Sequence, residues 1–202
     1  MARIDFVTLE AADPQAADHF HHTAFGLGDR VRVRESDAPS AGFRGFTLSL
    51  LVPGPSSVDA LVEAALDAGA TTLEAPEKSL WGYGGVVQAP DGTVWTVASS
   101  SKKDTGPASR KVEDLVLQLG VSDVAASRRF YTERGLTAGK SFGRRYAEFD
   151  TRPVKLTLNK RAALAKVSGV PADGSGSHRI VIGGTAGAFT DPDGFVWEPA
   201  TP

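Results

Sequence analysis

Apolar and polar residues alternate from Ile4 to Ala11, and the segment is rich in β-formers, so it reads as a strand. Asp13 then offers an N-cap oxygen, Pro14 suits a first helical turn, and Gly26 can end the helix that the spacing predicts up to Phe25. Strands are predicted at Val31–Glu35 and Phe43–Val52. A capping-box pattern, Ser56 with Asp59, precedes the helical face of Val58, Leu61, Val62, Ala65 and Leu66, closed by Gly69. Thr71–Glu74, Gly85–Ala89 and Thr93–Ala98 read as strands, the last two joined by the turn Pro90-Asp91-Gly92. Beyond residue 111 the pattern gives strands near Val112–Val121, Ser141–Asp150, Val154–Leu158, Arg179–Ile182, Ala188–Thr190 and Phe195–Glu198. It also gives a helix from the cap Asp123 to Gly135 and a short one near Ala162–Val167.

The same order occurs twice. Leu9, Asp13, Ala16 and Phe20 match Leu119, Asp123, Ala126 and Phe130 at an offset of 110. GVVQAPDGTVWTV, from Gly85, matches GAFTDPDGFVWEP, from Gly187, at six of 13 positions, including Trp95 with Trp197. Two matches in the same order mark an internal duplication. The polar stretch Ser99–Ser109 lacks hydrophobic periodicity and reads as a joint. This divides the chain into a module over 1–104, a linker over 105–111 and a second module over 112–202.

Composition narrows the chemistry. The 202 residues are 41% hydrophobic, ordinary for a globular protein, and long enough for a substantial core. The balance of 22 Lys+Arg against 24 Asp+Glu gives no basic excess for nucleic acid. The absence of cysteine excludes disulfides, thiolate metal sites and cysteine nucleophiles. No apolar run approaches the ~20 residues of a membrane span, and the N-terminus has no secretory pattern, so a cytoplasmic protein is expected. No phosphate loop, dinucleotide fingerprint or Gly-x-Ser-x-Gly elbow occurs.

A strand, an Asp-capped helix, and strands ending in Asp-Pro-Asp-Gly-x-x-Trp-Glu (Asp191 to Glu198) resemble the vicinal oxygen chelate superfamily, which includes glyoxalase I, bleomycin-resistance proteins and extradiol dioxygenases. The resemblance spans nearly the whole chain. It implies an α+β fold of two βαβββ modules, related by a pseudo-two-fold, whose curved sheets form a U-shaped cleft. In metal-dependent members that cleft holds a divalent ion. Carried over, the ligand positions fall on Phe6, Thr96, Val116 and Glu198, of which Glu198 alone is a good ligand. Gln118 shares a face with Val116 and could contribute if the register differs. No metal and no other cofactor is expected, which disfavours glyoxalase I and extradiol dioxygenase activity.

Strand parity assigns Phe6, Thr8, Val94, Thr96, Val116, Gln118, Val196 and Glu198 to the cleft wall. Trp81 and Tyr83, in the glycine-rich segment Ser79–Gly85, are candidates to stack on a flat ligand or to pack between modules. Such a wall suits a small organic ligand. The leading expectation is a binder like the bleomycin-resistance proteins. The alternative is an isomerase, lyase or dioxygenase-like enzyme, either metal-independent with Glu198 as acid or base or using a non-standard metal site. A Glu198 that bonds backbone or an arginine is the competing role for that residue. His19, His21 and His22 read as a solvated helix face, and His178 is assigned nothing. Arg32, Arg34, Arg144, Arg145 and Lys155 lie on strands facing either cleft or solvent. No nucleic-acid or membrane partner is expected, and the resemblance leaves a homodimer open.

Overall fold

The computed structural model describes residues 1–200, so Thr201 and Pro202, the end of the expected second module, lie outside the described residues. In chain order the elements are β1 (Ile4–Ala11), α1 (Pro14–Phe25), β2 (Val31–Glu35), β3 (Ser40–Gly42), β4 (Phe46–Leu51), α2 (Pro55–Asp67), β5 (Thr71–Ser79), β6 (Gly82–Gln88) and β7 (Val94–Ser99). They continue with β8 (Asp114–Val121), α3 (Val124–Glu133), β9 (Ala138–Phe142), β10 (Tyr146–Phe149), β11 (Val154–Lys160), α4 (Arg161–Val167), β12 (Gly174–Gly176), β13 (Ile180–Gly184), β14 (Phe189–Thr190) and β15 (Val196–Pro199).

The expected caps form. Asp13 accepts from the Ala16 N–H at 2.9 Å, and Asp123 from those of Ala125 and Ala126. Gly26 takes the left-handed conformation that ends α1. α2 is capped differently. It starts at Pro55, and the acceptor for the Ser56 N–H is Asp104, just before the linker, at 2.9 Å. Asp59 instead accepts from the Tyr83 hydroxyl. The strand expected over Ser141–Asp150 is a hairpin, β9–β10, because Gly143 turns the chain at φ 57°.

Two main sheets result. The larger has eight strands in the order β5-β6-β7-β4-β8-β11-β10-β9. This is one βαβββ module, β4-α2-β5-β6-β7, beside its two-fold image, β8-α3-β9-β10-β11, joined where β4 runs antiparallel to β8. The smaller has five strands, β14-β15-β13-β1-β2. It combines the strand–helix–strand start of the chain with its end, where Thr185–Ala188 connects β13 to β14 without a helix. Each half of the chain therefore gives strands to both sheets. The duplicated landmarks recur in sequence, yet β1 and β7, expected in one wall, stand in different sheets.

One continuous core lies beneath the larger sheet's helix-facing side and extends to the smaller sheet. Leu48, Leu50, Trp95, Val97, Leu115, Leu117, Leu119, Leu156 and Leu158 are inaccessible to solvent and alternate with residues on the opposite face. Trp95 and Trp197 belong to this core, as their parity indicates.

Candidate functional site

The opposite face of the larger sheet carries the site. Around the β4–β8 seam, parity turns Thr47 and Ser49 (β4), Val94 and Thr96 (β7), Val116 and Gln118 (β8), and Lys155 and Thr157 (β11) to one side. Register sets them in rows. Ser49 lies between Thr96 and Val116, and Val116 opposite Lys155; Thr47 and Thr157 flank Gln118. Thr47 donates its hydroxyl to the Gln118 side-chain oxygen at 2.8 Å, which turns the amide nitrogen, a donor, toward the groove. The floor is thus less apolar than expected. The reason is that β4, whose register against β8 could not be read from sequence, brings two hydroxyls to the seam.

Two lobes open on this face. One, of about 390 Å³, is lined by Ser49, Val116, Gln118, Tyr146, Glu148 and Thr157, among others. Its rim holds two paired charges, Lys155 with Asp114 at 2.7 Å and Arg152 with Asp150 at 2.9 Å. Tyr146 is half-buried and donates to Glu148 at 3.3 Å. Burial first, then the Glu148 charge and this hydrogen bond, push the Tyr146 phenol up to about 12, so it stays a proton donor at neutral pH. The other lobe, of about 410 Å³, lies on the β4–β7 side and includes Gln88, Val94, Arg44 and Gly169–Pro171. α4 closes in on the sheet at Gly120, where a Cβ would stand 3.0 Å from the Arg161 Cα and 3.1 Å from the Gly45 carbonyl. A side chain there would make α4 or the Gly45 turn give by a few tenths of an ångström.

The ten candidate residues therefore divide. Val94, Thr96, Val116 and Gln118 share one face of the larger sheet, with Val116 and Gln118 in one lobe and Val94 in the other. Phe6, Thr8, Val196 and Glu198 lie on the smaller sheet, where Thr8 pairs with Val181 and that strand with Val196. Phe6 is buried beneath the Arg32 guanidinium, 3.6 Å from its ring centre, and Val196 is exposed. Glu198 is not enclosed by Phe6, Val116 and Val196. Its side chain is 35% exposed and 3.3 Å from Arg34, which also binds Glu10 at 2.6 Å. The arginine pairing weighed as the competing role is the one found. Trp81 stands 85% exposed at the tip of the β5–β6 hairpin, and Tyr83 turns to α2 to reach Asp59 at 2.8 Å, so neither borders the groove. The glycines of 82–85 make strand rather than loop: a Cβ on Gly82 would meet the Ser99 carbonyl across the ladder. Of the strand cations, Lys155 faces the groove, Arg32 and Arg34 belong to the smaller sheet beside Thr8 and Glu10, and Arg144 and Arg145 are exposed at the β9–β10 turn.

Ser49, Tyr146, Glu148 and Thr157 were missed. Tyr146 and Glu148 alternate within a segment that reads as a plain strand, and only its hairpin pairing to β11 brings them over the floor. His21 was also misassigned. It is buried, and its Nε2 lies 3.1 Å from Asp91 in the Pro90-Asp91-Gly92 turn, whereas His19 and His22 are exposed. His178 stacks on Phe195 and approaches the carbonyls of Arg44 and Asp193, fastening three segments.

The divalent ion of metal-dependent vicinal oxygen chelate proteins does not fit this groove. Its floor offers hydroxyls, one amide, the Lys155 ammonium and the Glu148 carboxylate, which already accepts from Tyr146, and Glu198 stands on the other sheet. Among the described residues no three His, Asp or Glu side chains are grouped to hold a metal.

No protein-family model matches the chain, and no curated protein matches it. Solved structures do. Glyoxalase I from Zea mays superposes with a TM-score of 0.60 over 98% of this chain and 91% of that one, at 15% identity. A putative dioxygenase from Bacillus subtilis subsp. subtilis str. 168 gives 0.55 over 95% and 71%, at 11% identity. The fold is that of these proteins, two βαβββ modules in a pseudo-two-fold arrangement. At such identities the likeness speaks for the fold alone.

Proposed function

We propose that this chain, folded as vicinal oxygen chelate proteins are, binds a small organic molecule in the lobe between β8, β10 and β11 without a metal ion. The observation that carries the reading is the cavity of about 390 Å³ over a floor drawn from both halves of the chain: Ser49 from one, Val116, Gln118 and Thr157 from the other. That volume lies within the range of ligand pockets, roughly 300–1,000 Å³. The wall has one apolar patch, around Val116 and Leu51, and directional polar groups beside it. The Gln118 amide donates; the Tyr146 oxygen, whose proton goes to Glu148, accepts; Thr157 and Ser49 donate or accept. A planar molecule with a carbonyl or ring nitrogen satisfies this set. In the same reading the chain is a duplicated unit joined over 105–111, acting in the cytoplasm, with a homodimer neither required nor opposed by a groove that one chain completes.

A thermal-shift screen of metabolite and drug-like compounds tests the proposal. A compound at 100 times its Kd stabilises the native state by about 2.7 kcal/mol. The expected hit loses at least tenfold in affinity in Gln118→Leu and keeps it in Glu198→Gln. A hit whose binding depends on Glu198 and ignores Gln118 would move the site to the smaller sheet.

A further inference from the structure

Outside the β8–β11 lobe, two arginines face each other at the junction of the halves. Arg44 lies just before β4 and Arg179 just before β13. Each has one anchored nitrogen. Arg44 Nη2 donates to the Asp91 carbonyl at 2.6 Å, passing over Gly92, where a Cβ would stand 2.8 Å from it. Arg179 Nη1 donates to the Ser36 carbonyl. Each also has a buried nitrogen with no partner, Nη1 of Arg44 and Nε of Arg179. The two charges oppose each other. Burial, and to a smaller extent the charge of Arg179, lower the Arg44 pKa from its ordinary value, while Asp91 acts the other way.

Both arginines line a cavity of about 400 Å³ whose remaining wall includes Glu10, Asp13, Ala16 and Asp91. The acidic neighbours are already engaged. Glu10 binds Arg34, Asp13 caps α1, and the Asp91 carboxylate is held by His21 and Thr93. Two like charges flank one cavity, each with a donor sealed from both solvent and any partner, and leaving a buried charged donor unmet is costly. Arg179 is also the one non-glycine residue among those described with positive φ, 56°, a strained conformation that the surroundings must hold in place.

We propose that Arg44 and Arg179 bind the oxyanion of a small carboxylic acid or phosphate ester in this cavity. Guanidinium forks match carboxylate and phosphate oxygens in geometry as well as charge. This cavity shares no lining residue with the β8–β11 lobe that holds Gln118 and Tyr146.

The full chain is titrated with sodium phosphate and with sodium acetate against sodium chloride at matched ionic strength, followed by melting temperature and calorimetry. A saturable rise with phosphate alone identifies a phosphate site, and with acetate alone a carboxylate site; a response to both supports an oxyanion site of broader choice. Arg44→Gln and Arg179→Gln should each lose about tenfold or more in affinity, equivalent to ~1.4 kcal/mol, with unchanged circular dichroism. Arg144→Gln, at the exposed turn, should bind as the parent does. If Arg44→Gln fails to fold, Arg44→Lys keeps the charge, loses the fork and should still bind more weakly. Equal responses to all three salts, or arginine variants with parental affinity, would overturn the proposal.

Discussion

Asp191→Ala is expected to destabilise the protein by about 3–5 kcal/mol, since two to three buried donors each lose an acceptor worth ~1–3 kcal/mol. Asp191 is 5% exposed. Its Oδ2 accepts from the Tyr131 hydroxyl at 2.5 Å, and its Oδ1 accepts from the Phe195 and Asp193 N–H groups at 2.8 and 3.0 Å. It thereby ties the last hairpin to α3, and alanine has no oxygen to replace it. Urea unfolding measures the loss. The pH dependence separates this turn from its counterpart in the first half. Burial raises the Asp191 pKa from about 3.8, so the folded state takes up this proton first. Its contribution is full below 3.8 and falls as pH rises through the raised value. Asp91 is the reverse. Burial, its largest influence, raises its pKa, but the hydrogen bond and charge of His21 together with the Thr93 bonds outweigh it and hold the carboxyl below 3.8. Its contribution is full above 3.8 and lost as pH falls through the lowered value. Asp191→Asn and Asp91→Asn should therefore change the slope of stability against pH in opposite senses on the acid side.

Trp95→Ala should cost about 3–5 kcal/mol, the range for removing a fully buried large aromatic. No part of Trp95 is accessible. Its ring lies 4.7 Å from that of Phe25 and 5.4 Å from that of His21. The cavity would open between α1 and the sheet, where ring packing supports the His21–Asp91 contact. For a domain of this size the loss corresponds to a fall in Tm of roughly 10 °C. A change below ~1 kcal/mol would mean that the first helix does not rest on this tryptophan.

Much of the fold was legible because its signals are local. The caps Asp13 and Asp123, the terminating Gly26 and the paired Asp-Gly turns each act within a few residues, and each forms as read. Strand parity also held, separating Leu117 from Gln118 and Trp95 from Thr96. What could not be read was which strand lies beside which. β1 pairs with β13, and β4 with β8, contacts across more than 60 residues that no period encodes. Correct parity on the wrong sheet assembled one expected wall from two real ones, which is how Glu198 and Thr96 came to share a cleft. Tyr146 escaped notice for the same reason. The buried His21 was hidden differently: its neighbours His19 and His22 are exposed, and its partner Asp91 lies 70 residues on.

We propose that ligand binding belongs to the eight-stranded sheet and not to the Glu198 face. Backbone amide NMR during titration with a stabilising compound tests it most directly. Saturable shifts at Val116, Gln118, Tyr146 and Thr157, with Thr8, Val196 and Glu198 still, are the predicted result. Shifts gathered on the latter three, with the seam of β4 and β8 unmoved, would contradict it.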